Sequence, residues 1–193
     1  MIEILVTVFI LSVGILGVAS LQFIGTFTNA EAMNRSQSVL IAQQFSERLR
    51  ANSSMSTSGD GLVVSNTYFD SNIYNFSNVT CLSGSNNFDC FCLSVPATIK
   101  DCNSNQCTDA EFAEFDAYEM SCAIAANNPN VELSLTCSDN DNLDGDSCSA
   151  GSRHTILLKW PIQQWQNISG VLNSECNTEE TSPHDRVILD VTL

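Results

Sequence analysis

The chain has 193 residues, with 22 acidic side chains against 7 basic ones, a formal net charge of −15 and a sequence pI near 4.1. Nucleic-acid binding needs a Lys/Arg stripe that displaces counterions from phosphate, and no basic cluster stands anywhere in the sequence. That partner class is set aside, and the acidity reads as a solvated, self-repelling outer surface.

The first two dozen residues differ from everything after them. Ile2 to Ile24 is apolar apart from Glu3, Thr7, Ser12, Ser20 and Gln22, with Gly14 and Gly17 inside the run. About 20 apolar residues at 1.5 Å rise cross a bilayer core, so residues 1–24 predict a membrane-spanning helix. A secretory signal has a basic start and an apolar run of roughly 7–15 residues, a poorer fit. Glu3 is the sharp feature. Its carboxylate either rests in the headgroup layer, helped by the helix N-terminal dipole, or enters the apolar layer and needs a cationic partner.

The helical pattern continues. Residues 25–51 lack Pro and, beyond Gly25, Gly, and Ala32, Ser36, Val39, Gln43 with Leu40, Phe45 and Leu49 recur at three- and four-residue steps. One continuous helix from about residue 2 to 51, roughly 75 Å long at 1.5 Å per residue, is the simplest expectation, its second half amphipathic. Turn-formers from Asn52 to Gly61 end it, and the head domain is expected over residues 52–193. Residues 52–107 read as a loop region with brief strand-like pieces, Gly61 to Val64 and Phe91 to Val95. Thr108-Asp-Ala-Glu111 is a capping box opening a helix over 108–126, with Phe112, Phe115, Met120, Cys122 and Ile124 as core contacts. Strands are expected at Val131–Cys137, Thr155–Trp160 and Arg186–Leu193, forming an antiparallel sheet within 131–193. The fold class is therefore α+β, a sheet packed against the long helix.

Nine cysteines, Cys81, Cys90, Cys92, Cys102, Cys107, Cys122, Cys137, Cys148 and Cys176, all follow the apolar run. At this density in an exported domain they imply disulfides, with one thiol left over or paired between chains. Metal binding competes poorly, because the spacings lack paired CxxC knuckles and His154 and His184 stand apart from them. The positive-inside rule conflicts with export, since all seven basic residues follow the span. A short basic leader ahead of Met1 would remove the conflict and is expected. Asp139, Asp141, Asp144 and Asp146 form a weak calcium candidate around Gly145, but the bidentate closing acid is missing and Gly151 takes its place. A solvated acidic loop is the preferred reading, and no cofactor is assigned. Asn-x-Ser/Thr sequences occur at Asn34, Asn52, Asn75, Asn78 and Asn167; chance explains most of them in such a composition, with sugar attachment in the exposed loops as the alternative. No nucleophile elbow, phosphate loop or His-Glu-x-x-His helix is present, and the acids read as scattered loop residues. No catalytic residue is nominated, and the chain is not expected to be an enzyme.

Met1 to Gln22, with its early Glu3 and the Gly14-Ile-Leu-Gly17 spacing, resembles the N-terminal segment of type IV pilins, in particular the PilV-like minor pilins. Ser46-Glu-Arg-Leu-Arg-Ala-Asn52 is similar to the stretch that closes the long helix in that family, and the capped acidic helix followed by Leu157-Leu-Lys-Trp160 matches more loosely. The resemblance implies a pilin fold, a long N-terminal helix whose outer half packs on a small antiparallel sheet. It implies prepilin peptidase processing, methylation of the new amino terminus, and Glu3 as the retained assembly acid, with Gly14 and Gly17 easing helix flexibility and packing. The partners it implies are other pilin subunits, the pilus assembly machinery and inner-membrane lipid. The location implied is the inner membrane with the head outside the cytoplasm, then the extracellular pilus. Within this frame a minor pilin comes first, a major pilin or type II secretion pseudopilin second, and a single-pass adhesive ectodomain third.

Overall fold

A computed structural model describes residues 2–57, 59–81, 86–141, 143, 147–161 and 184–193. Helix α1 runs Ile2–Ala51 without a break, through both Gly14 and Gly17, where a Cβ would meet nothing within 4 Å. A short hairpin follows, β1 Ser54–Met55 on β2 Leu62–Val63, then 3-10 turns Asn66–Phe69 and Ser71–Ile73. Helix α2 is Asn87–Phe91 and α3 is Asp109–Asn127; strands β3 Glu132–Ser138, β4 Arg153–Pro161 and β5 His184–Thr192 complete the described elements. The fold is α+β, and β3, β4 and β5 pair antiparallel in that order.

Contacts divide the chain into two compact units, Met1–Ser36 and Gln37–Leu193. In the first, the apolar side chains from Ile2 to Ile24 stand exposed, Ile2 at 76% and Phe9 at 69%. Several hydroxyls along it are satisfied by the helix itself: Thr7 donates to the Ile4 carbonyl at 2.9 Å, Ser12 to Phe9 at 2.7 Å and Thr28 to Ile24 at 2.6 Å. Such back-bonding removes the cost of carrying a hydroxyl through hydrocarbon.

In the second unit, the buried stripe of α1 is Ser38, Ile41, Ala42, Phe45, Ser46 and Leu49. This corrects the sequence reading, because Val39, Leu40 and Gln43 face solvent. The periodicity was right for Phe45 and Leu49, but small residues carry half the face. Ser38, Ala42 and Ser46 leave room for bulky neighbours, and a hydrophobicity pattern cannot see that. Phe45 and Leu49 join Tyr68, Tyr74, Met120 and Ile124, with Leu133, Leu135, Ile156, Leu158 and Trp160 from the sheet, in one core. Ile99, Phe115 and Tyr118 make a second, smaller cluster, which Cys122 flanks, while Phe112 is only half-buried.

The two brief strand expectations in the loop region come out differently. Leu62 and Val63 do form a strand, whereas the Phe91 to Val95 segment does not. Phe91 instead closes α2, whose N-cap Asn86 accepts from the Asp89 amide at 2.9 Å. Phe91 then stacks on Phe76 at 4.7 Å between centroids. Phe76 and Asn75 hold left-handed backbone, φ 61° and 54°, which is rare for an aromatic residue. Asn75 fixes this turn: its side-chain amide donates to the Leu133 carbonyl at 2.8 Å and accepts the Leu133 amide at 2.9 Å. Gly61, at φ +156°, is also required, since a Cβ there would sit 2.7 Å from the Ala150 Cβ.

Candidate functional site

Eight of the nine cysteines form four bridges, Cys81–Cys90, Cys92–Cys122, Cys102–Cys107 and Cys137–Cys148. Cys176 lies outside the described residues. Each bridge pins loop to loop or loop to element. Cys92–Cys122 ties the segment after α2 to the middle of α3, with Tyr118 donating to the Phe91 carbonyl at 2.9 Å beside it. Cys137–Cys148 closes the loop between β3 and β4.

A buried charged network joins α1 to α3. Asp116 is fully buried, a place no loop acid would occupy, and this corrects the reading of the acids as scattered solvated residues. Arg48, near the end of α1, reaches Asp116 at 2.5 Å and Glu119 at 2.6 Å, and the Tyr68 hydroxyl donates to the other Asp116 oxygen at 3.0 Å. Asn52 donates in turn to the Tyr68 oxygen at 2.9 Å. Burial pushes the Asp116 carboxyl above its usual range, against Arg48 and Tyr68, which pull it down. Arg48 is lowered by burial, but the hydrogen bonds to Glu119 and Asp116 outweigh this and raise it. The sequence signal was present: Asp116 sits on the same α3 face as Ala113, Ala117 and Met120, all fully buried. An acid on an apolar stripe needs a cation, and Arg48 supplies it.

The acidic loop is organised from within. Asp139 accepts from the Ser149 amide at 3.0 Å, the Ser149 hydroxyl at 2.7 Å and the Ser152 hydroxyl at 3.1 Å. The Ser149 side chain, then its amide, hold this half-buried carboxyl down at about 2. Asp141 accepts the Leu143 amide at 3.0 Å, while Asp144 and Asp146 lie outside the described residues. Asp139 thus serves as the acceptor that folds its own loop.

His154 is buried on β4. Its Nδ1 lies 3.2 Å from the Ser152 carbonyl and its Nε2 lies 3.3 Å from Cys148 Sγ. Burial lowers its pKa, opposed by backbone hydrogen bonds to Ser152 and Val191. No nucleophile–base–acid constellation stands among the described residues. His184 falls on β5, away from His154 at the far end of the β4–β5 register, where it faces Pro161. Glu3, Gly14 and Gly17 lie together on the apolar half of α1, with Glu3 in the first turn.

Among the described residues, one helix is long and apolar enough to cross a membrane, Ile2–Ala51, and none of its most apolar window is buried. The long apolar helix, the small sheets and the disulfides are compatible with a pilin-like fold. No protein-family model matches the chain, and neither a curated protein nor a solved structure is found to be similar to it.

Proposed function

We propose that the chain is a minor pilin, a subunit held in the inner membrane by residues 1–24 and then incorporated in an extracellular type IV pilus, where it contributes to assembly. The observation that carries this reading is the division of α1. Its first half is exposed apolar surface and its last turns are the spine of a disulfide-pinned α+β head. A membrane anchor alone needs about 20 residues at 1.5 Å rise, so a 50-residue helix exceeds that need. A helix that leaves lipid for a bundle of like helices uses the whole length. Burial of residues such as Ile10, Leu11 and Ile15 against neighbours replaces lipid contact at no hydrophobic cost.

Glu3 then acts in assembly. In the bilayer its carboxylate rests at the interface, whereas in a dry helical bundle an unpaired charge is costly. The partner is the processed amino terminus of a neighbouring subunit, which would fix axial register as a buried polar residue does in a coiled coil. Glu3→Val is expected to insert in the membrane at the parent level and to fall steeply in sheared pili. Equal recovery of mutant and parent chain from the pili removes the role of Glu3. Absence of the parent chain itself from sheared filaments removes the filament reading.

A further inference from the structure

The Cys137–Cys148 bridge has a third member. The Cys137 Sγ, Cys148 Sγ and a His154 ring nitrogen all lie within 4.8 Å of one another, with Cys148 and His154 each 2% exposed. The Ser152 carbonyl can only accept a hydrogen bond, so its 3.2 Å contact assigns the ring proton to Nδ1. The other ring nitrogen, Nε2, lies 3.3 Å from Cys148 Sγ. The Phe69 ring packs over the imidazole at 5.7 Å between centroids and holds its plane. A ring N–H held by a backbone carbonyl is how metal-binding histidines are commonly oriented for their ligating nitrogen.

We propose that in the reduced chain Cys137, Cys148 and His154 form a Cys2His site for a thiophilic divalent cation of the zinc class, which the disulfide replaces on oxidation. Zn–S near 2.3 Å and Zn–N near 2.0–2.1 Å at a tetrahedral angle put sulfur and nitrogen about 3.6 Å apart, close to the spacing already present. Only the two sulfurs must separate, and Cys148 lies at the end of a loop whose other end is β3. Loading releases protons: Zn2+ and two thiols give the dithiolate complex and two H+, with neutral His154 as third ligand. Oxidation reverses the occupancy. The disulfide of a thiol–disulfide oxidoreductase takes two electrons from the bound thiolates, its own sulfurs take up two protons as thiols, the Cys137–Cys148 bond forms, and Zn2+ leaves. The cation therefore pairs these two sulfurs before oxidation and keeps them from the other seven. This inference does not rest on the filament reading.

The test uses the full-length chain in detergent, reduced anaerobically with a phosphine, with and without one equivalent of Zn2+ alone. Alkylation is mapped by mass spectrometry, cysteine by cysteine. Zinc is expected to slow alkylation at Cys137 and Cys148 at least tenfold and to leave Cys102 and Cys107 unchanged. His154→Gln is expected to abolish that protection. Because that variant alters a buried side chain, zinc-edge X-ray absorption of the parent complex is measured too, and two sulfurs with at least one imidazole are expected. Equal protection at all cysteines, no protection at Cys137 and Cys148, or a four-sulfur zinc shell would overturn the proposal.

Discussion

Asp116 shows how much one side chain can decide. Its carboxyl has no solvent, and its charge is tolerated only because Arg48 and Tyr68 both donate to it. Removing one partner of a buried pair leaves the other uncompensated, which typically costs about 3–5 kcal/mol. Arg48→Ala is therefore expected to lower unfolding stability by about 3 kcal/mol, read from chemical denaturation. Adding Asp116→Asn should recover part of that loss, since a neutral amide needs no cation. A double variant as unstable as Arg48→Ala alone would show that Arg48 acts through its stem and not its charge. Asp116 was legible from the α3 pattern. Its partner was not, since Arg48 lies 68 positions away in the chain.

At the scale of the element, α3 was the most readable segment. The Thr108–Glu111 capping box forms in full, with Thr108 Oγ1 accepting the Glu111 amide and Glu111 accepting the Thr108 amide at 2.8 Å. Local rules suffice where both partners lie three residues apart. Thr108→Ala should cost about 1 kcal/mol by denaturation. Glu111 also accepts from Lys100 at 2.9 Å, and first that bond, then the Thr108 amide, hold its carboxyl below the usual range. A lowered folded-state pKa contributes stability above the unfolded value, about 4.3, and loses it as the pH falls through the folded value. The stability gap between the parent chain and Glu111→Gln should thus be present at pH 6 and close on acidification below the ordinary carboxylate range. A gap that widens in acid would refute the sign.

The bridges are also elements, and their loops differ. Cys92–Cys122 spans 30 positions and Cys102–Cys107 spans 5. Chain-entropy arithmetic assigns about 3.6 kcal/mol to the first and about 2 kcal/mol to the second. Replacing Cys92 and Cys122 together by Ala should lower the melting temperature clearly more than replacing Cys102 and Cys107. The reverse order would locate the stabilisation in native contacts and not in the unfolded chain. The sequence shows that bridges form but not which, because eight cysteines allow about 105 pairings. Only the tertiary approach of the α2 end to α3 selects Cys92 for Cys122.

For the molecule as a whole, the class of fold was written in composition and period. An apolar run too long for a signal, a helical continuation without Pro, and alternating strands at the end lead to α+β. The assignment of faces was less legible. Where α1 is buried by Ser38, Ala42 and Ser46, tertiary packing overrode the hydrophobic pattern, and where Phe91 ends a helix capped by Asn86, capping chemistry overrode strand propensity. The charge of −15 is spread over solvated positions such as Asp60, Asp89 and Asp109 as well as the two organised ones, Asp116 and Asp139.

The side-chain amide of Asn75 bears on how copies of this molecule can meet. It occupies both the donor and the acceptor of Leu133 on the side of β3 away from β4, and so stands in for one residue of a neighbouring strand. A strand from another copy seeking to extend the sheet at the start of β3 finds that rung already taken. Strand addition is therefore hindered at the Leu133 end of β3. Asn75→Gly keeps the left-handed backbone and frees the rung. It should aggregate into thioflavin-positive material sooner than the parent chain under quiescent storage, and equal lag times would mean that the edge is guarded by something else.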